Sequence, residues 1–448
     1  MAQGGTTGTE RPLKARHVSM ISIGGIIGSG LFVGSSAAIA ATGPAIVVSY
    51  AIAGVLILLV MRMLADMALA APGAGSFTEH IRLGLGNGAG FVAGWLYWIF
   101  WALAIALEGL AGASIIVTWL PAAQAWQIGL LLVLGMTALN LLSVRAFGES
   151  EFWLSAIKVA AILLFIAVAA FAVGKGVVGG GGLPAPLYAH GGFAPFGPAS
   201  IFSGVTAVIL ALVGAEIITI AAADAQEPGP VIARLTTTLI LRVALFYLLS
   251  MLLIVSIVPW TEIRPGASPF AMALVAVGAP GVSLVMNIVI IVAVLSCMNS
   301  GVYVCSRVLV ALADKGEAPA FFGKAGGRGV PVRAILAGSG AAALAVMASV
   351  LSAERLFAML VNATGMVMLI VYLMLVLAHM GFVRRGGESR LPRATGPIVI
   401  VAMVAVIASM LVTPGLASQA WAGLATTSLL VLAYLAVRRR SAPAPAAG

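Results

Sequence analysis

The sequence predicts an all-α polytopic membrane protein with twelve transmembrane helices, and three observations carry that prediction. The 448 residues are 62% hydrophobic and only 8% charged. Their mean hydropathy of +1.14 lies well outside the range of a water-soluble domain. Twelve apolar stretches are long enough to cross the roughly 30 Å hydrocarbon layer of a bilayer: 18–41, 45–68, 88–119, 124–144, 152–174, 199–223, 234–258, 272–311, 331–351, 354–381, 395–413 and 417–437. With the N-terminus inside, 20 of the 24 Lys and Arg residues fall in inward-facing segments, and only Lys175, Arg264 and Arg355 fall outside. Both termini in the cytoplasm and an even number of crossings give this split, as the positive-inside rule requires. The net charge of +10 is therefore a topology signal, not a nucleic-acid surface.

Taken in order, residues 1–17 form a polar cytoplasmic tail without the apolar core of a signal peptide. The first span carries Gly24-Gly25-Ile26-Ile27-Gly28-Ser29-Gly30 at its centre. Glycine weakens a helix by about 1 kcal/mol relative to alanine, and broken backbone at membrane depth survives only where its freed groups face protein or water. Two readings stand. One is close helix packing through small residues; the other is an unwound hinge whose N–H groups hold an anion and whose carbonyls hold a cation. The third and eighth spans are long enough to tilt strongly or project from the bilayer. Residues 174–198, with Gly179–Gly182 and several prolines, read as an external mobile loop, and 314–333 as a basic, glycine-rich linker. The sixth span carries Val213-Gly214-Ala215-Glu216 in the same central position as the first break. Five spans separate the two breaks, an odd number, which would invert the halves 18–176 and 198–383 relative to each other, a transporter pattern; the alternative is coincidence in a chain with 53 glycines. Residues 384–438 hold two added helices, and 439–448 form a cytoplasmic tail.

Glu108, Lys158 and Glu216 sit inside spans, where each costs roughly 2.5–3.5 kcal/mol on insertion scales and must face a partner or a cavity. For Glu108 and Lys158 the structural reading is an ion pair between helices, and the functional one is proton coupling. For Glu216 the structural reading is a carboxylate capping N–H groups freed by the break. Ser296, Asn299, Ser300, Tyr303 and Ser306 form a polar stripe on the eighth span, either interhelical glue or a surface facing the lysine and the first break. Trp95, Trp98 and Trp101 recur every three residues, and Glu108 follows one heptad after Trp101. Cys297 and Cys305 make neither a disulfide framework nor a metal site. No histidine precedes a glutamate and no glycine-rich loop ends in Lys-Ser or Lys-Thr, so zinc-protease and phosphate-loop chemistry are unsupported.

Several stretches are recognisable. Leu13-Lys14-Ala15-Arg16-His17-Val18, the run Ile23 to Ser35, Met61 to Met67 with Gly75-Ser76-Phe77, Glu149-Ser150-Glu151-Phe152-Trp153 and Gly329-Val330-Pro331-Val332 resemble the amino acid–polyamine–organocation superfamily, within it the bacterial amino acid transporter family. Gly214 to Ala223 and Leu295 to Ser300 are similar to the γ-aminobutyrate permease subgroup. Gly28-Ser29-Gly30 instead has the form common in general amino acid permeases, and Asp66 stands where the family usually has glutamate.

The resemblance implies a five-plus-five inverted-repeat, leucine-transporter-like fold in the inner membrane, with helices 1 and 6 broken and two extra helices. It implies proton-coupled uptake of a small zwitterionic amino acid, γ-aminobutyrate foremost, with no metal or organic cofactor. Backbone N–H groups at Gly28, Ser29 and Gly30 would take the substrate carboxylate. Carbonyls at Ile26 and across Leu210, Ala211 and Val213, beside Gly214, would take its ammonium, with Trp101 and Glu108 bordering the pocket. Lys158 would carry or sense the coupling proton opposite Ser296 and Asn299, with Glu216 close to the second break. The alternatives are a general neutral amino acid permease, an exchanger, and an amino-acid-binding membrane receptor. No ring-forming selectivity motif favours a channel.

Overall fold

A backbone at membrane depth must satisfy its own N–H and C=O groups, and among the described residues of this computed structural model every regular element is helical. The structure describes residues 25–71, 74, 76–142, 145–176, 185–217, 219, 228–324, 330–350 and 352–441. The 1–17 tail, the start of the first span with Gly24, the glycine run 179–182, part of the 314–333 linker and residues 442–448 lie outside the described residues. In chain order the helices are α1 Ser29–Phe32, α2 Gly34–Thr42, α3 Ile46–Ala70, α4 Phe77–Leu85, α5 Asn87–Trp119, α6 Ala125–Leu142, α7 Arg145–Gly174 and α8 Ala185–Tyr188. They continue as α9 Pro198–Leu212, α10 Pro228–Ile257, α11 Pro269–Ala276, α12 Pro280–Asp314, α13 Val332–Ala348, α14 Ala353–Arg384, α15 Thr395–Val412 and α16 Ala417–Ser441.

Local chemistry sets the boundaries. Proline opens α9, α11 and α12, where its missing N–H costs nothing because the first turn has no intrahelical acceptor for it. Ser268 caps α11 by accepting the Ala271 N–H at 3.3 Å, worth about 1 kcal/mol. The eighth apolar stretch, 272–311, is two helices and not one: α11 ends before Gly278 at φ +77, and α12 restarts at Pro280. A left-handed glycine followed by a proline stops one helix and starts the next, which uniform apolarity conceals. The loop between α7 and α9 contains the short helix α8. The segment before α5 forms the amphipathic α4, burying Phe77, His80 and Ile81. Burial lowers the His80 pKa from its ordinary value, because the imidazolium there would lose its hydration.

Among the described residues, seven helical segments, Ser29–Ala70 among them, are long and apolar enough to cross a membrane, and Ala125–Leu141, Pro198–Leu212, Val243–Ile257 and Val332–Ala348 are shorter apolar helices. α5 is the hub: α4, α6, α12, α13, α14 and α16 all pack on it. α3 lies along α9 and α10, and the short α1 touches α5, α9 and α12. The broken first segment therefore sits among the most buried helices. At the periphery α15 and α16 expose Ile398, Val401, Leu429 and Leu432, a surface suited to lipid.

Candidate functional site

Two helix breaks meet inside the bundle. In the first, the chain is helical at Gly25 and Ile26, extends at Gly28 (φ −126, ψ −159) and re-enters helix at Ser29. In the second, α9 ends at Leu212, Val213 is extended (φ −66, ψ 149), and Gly214 adopts φ +116. A Cβ on Gly214 would lie 2.6 Å from the Gly25 carbonyl oxygen, and one on Gly30 would lie 2.9 Å from the Ala211 Cα. The two breaks thus approach backbone to backbone, and glycine is what permits it. Gly214→Ala combines a left-handed backbone with this clash and is expected to destabilise by about 3 kcal/mol. Thermal melts in detergent should show it, while Gly135→Ala, with open space around its Cα, leaves the midpoint unchanged.

The first break holds a carboxylate. The Ser29 N–H donates to both oxygens of Glu108, Oε1 at 3.0 Å and Oε2 at 3.1 Å. A Cβ on Gly28 would come within 2.5 Å of Glu108 Oε1 and 2.8 Å of Cys297 Sγ, so the seat exists only because residue 28 is glycine. The partial positive charge of freed N–H groups makes this a place for an anion. Ser29 Oγ is fully buried at the same seat. The Ile26 carbonyl accepts from the Tyr247 hydroxyl at 3.1 Å and from the Gly28 N–H at 3.2 Å.

The second break is held by Glu216, which is fully buried. Its Oε1 accepts from the Tyr97 hydroxyl at 3.1 Å, and its Oε2 from the Tyr372 hydroxyl at 2.9 Å and the Gly214 N–H at 3.1 Å. Tyr97 comes from α5 and Tyr372 from α14, so one carboxylate ties the break to two packed helices. Lys158 on α7 is buried and donates to Ser296 Oγ at 2.9 Å. Asn299 accepts from Asn140 Nδ2 at 2.7 Å. The polar stripe of α12 meets the lysine at Ser296 and α6 at Asn299.

Of the residues singled out in the sequence, Gly28, Ser29 and Glu108 come together directly, as do Gly30 with Ala211 and Gly214 with Glu216. Trp101 packs edge-on against Tyr97 and Phe100, with its ring facing Gly301 of α12. Leu210 and Ala211 lie in the last turn of α9, and the Val213 N–H still reaches the Ile209 carbonyl at 3.0 Å. Tyr97, Tyr247 and Tyr372 touch the site without having been singled out, and Cys297, weighed only for a disulfide or a metal, touches it too. The signal for the tyrosines was present: a tyrosine deep in an apolar span must find a partner for its hydroxyl.

Residues 17–438 match the family model described as amino acid permease. The chain is 37% identical to a gamma-aminobutyric acid permease of Bacillus subtilis, over 98% of this chain and 96% of that one. It is 40% identical to a gamma-aminobutyric acid permease of Escherichia coli, over 82% and 79%. The aromatic amino acid transport protein AroP of Escherichia coli is 36% identical, over 91% of each chain.

Proposed function

The chain belongs to the amino acid permease family of integral membrane transporters, and from that premise we propose that it is a symporter coupling proton entry to uptake of a small zwitterionic amino acid, γ-aminobutyrate foremost. The observation that carries this reading is the carboxylate of Glu108 on the Ser29 N–H. The N–H expected to receive a substrate carboxylate receives the carboxylate of Glu108, which supports reading it as a carboxylate seat. Substrate entry then becomes an exchange of anions. The incoming carboxylate takes Ser29 N–H and Oγ, the ammonium turns to the carbonyls around Leu210, Ala211 and Val213, and Glu108 withdraws. A second carboxylate beside Glu108 in this buried seat is accompanied by a proton, and Lys158, buried against Ser296, carries it. The names of the similar permeases favour γ-aminobutyrate.

The architecture that goes with this reading is twelve spans with both termini cytoplasmic, in the inner membrane. The 18–176 and 198–383 halves form inverted repeats around the two breaks, with α15 and α16 added outside. Alternating access follows if one repeat rocks against the other about the fixed breaks.

Reconstitution in liposomes tests the proposal. A pH gradient, acid outside, is expected to drive accumulation of labelled γ-aminobutyrate above the external concentration. Lys158→Ala is expected to abolish that accumulation while leaving the folded protein recoverable. Binding without gradient-driven uptake removes symport, and uptake only against preloaded amino acid makes the protein an exchanger. Undiminished pH-driven uptake by Lys158→Ala removes the lysine from the mechanism. A panel including phenylalanine and tryptophan separates γ-aminobutyrate from the aromatic substrates named for AroP.

A further inference from the structure

A cavity of about 610 Å³ opens where α14 ends, the following loop turns, and α15 begins. It is unrelated to the helix breaks. Arg384 and Arg393 line it together with Ser389 and Thr395, and Met63, Met380 and Leu391 supply apolar wall. No carboxylate is among the lining residues, and neither arginine is in ion-pair contact with a described carboxylate. The loop that carries these groups is fixed in place. Asp66 Oδ2 on α3 accepts the Ser389 hydroxyl at 2.8 Å and the Arg390 N–H at 3.2 Å, and Arg385 donates to the Leu83 and Gly84 carbonyls at 2.9 and 2.7 Å. Of the four arginines between 384 and 393, one is thus committed to α4, while two face a preformed space.

We propose that this cavity binds the phosphodiester headgroup of an anionic phospholipid from the leaflet on the arginine-rich side of the bundle. Guanidinium groups are matched to phosphate oxygens by their planar donor fork. Basic pockets beside membrane-spanning helices on the cytoplasmic side are the recurrent form of such sites. The mixed lining argues for a lipid over a free anion. A phosphate alone would leave the partly exposed Met380 and Leu391 wall in water, whereas a glycerol backbone and the start of an acyl chain would cover it. α15 continues directly from the cavity and presents exposed Ile398, Val401 and Val404, so the apolar part of the occupant has a helix to lie against.

The full-length protein in neutral detergent, incubated with dioleoylphosphatidylglycerol or dioleoylphosphatidylcholine and examined by native mass spectrometry, tests the site. Phosphatidylglycerol is expected to stay bound through detergent exchange at least tenfold more than phosphatidylcholine, and to raise the melting midpoint. The double variant R384Q/R393Q is expected to lose that preference, and R333Q, on α13, to keep it. Equal retention of the two lipids by the unaltered protein overturns the proposal, as does an unchanged preference in the double variant. Inorganic phosphate is the second arm: if it raises the midpoint as much as phosphatidylglycerol does, the occupant is a free anion and the lipid assignment fails. Should the double variant not fold, R384K/R393K keeps the charge but not the fork and is expected to retain an intermediate preference, and full retention overturns the bidentate recognition.

Discussion

Glu108→Gln is expected to bind γ-aminobutyrate about tenfold more tightly than the unaltered protein while losing all accumulation against a gradient. The two effects share one cause. The Ser29 N–H is bonded to both oxygens of Glu108, so a substrate carboxylate taking that N–H competes with a tethered one. Two unit charges about 4 Å apart repel by roughly 4 kcal/mol at an effective dielectric of 20, and glutamine removes that repulsion while keeping the side chain's shape. Recovering even a third of it gives the tenfold, about 1.4 kcal/mol. Without a displaced carboxylate, the Lys158 proton is no longer required for substrate to enter, and coupling is lost with it. Calorimetric titration at two pH values reads both consequences. The unaltered protein should bind in a pH-dependent way, and the variant tightly and with less pH dependence. A tenfold weakening in Glu108→Gln would instead make Glu108 the partner of the substrate ammonium.

Much of the helical framework was legible because apolarity and length are strong signals in lipid. The stretch 88–119 corresponds to α5, Asn87–Trp119, and 395–413 to α15, Thr395–Val412. The failures are physical too. Gly278 splits an apolar run whose hydropathy does not change across it, and α4 is short and carries Glu79 and Arg82 among its apolar residues. Within the site, the breaks were legible because glycine clusters at Gly25–Gly30 and Gly214 are costly in a helix. The buried ionisable residues were legible because charge is costly in lipid. Which group meets which was not. The Ser29–Glu108 contact joins residues 79 apart and the Tyr372–Glu216 contact residues 156 apart, and such pairings follow from how α5 and α14 pack around the breaks. For the same reason the sequence sets Glu108 at the border of the pocket without naming its partner, the Ser29 N–H.

Glu216 decides between capping and coupling. Its carboxylate accepts from two tyrosine hydroxyls and one backbone N–H, and hydrogen bonds to a charged group are worth about 1.5–3 kcal/mol each. Glu216→Ala leaves three buried donors unpaired and opens a cavity, so a loss of about 4 kcal/mol and a collapse of folded yield are expected. Glu216→Gln keeps the volume and one accepting oxygen but turns an NH₂ toward the other donors, where a tyrosine hydroxyl can turn to accept it and the Gly214 N–H cannot, so its loss should be about half as large. Both are read by thermal unfolding in detergent. Uptake by the surviving Glu216→Gln protein then carries the distinction. A carboxylate that only ties α5 and α14 to the break at Gly214 can become an amide without changing how transport depends on pH. The profile is therefore expected to keep its shape at reduced amplitude, and a displaced profile would move Glu216 into the proton path beside Lys158.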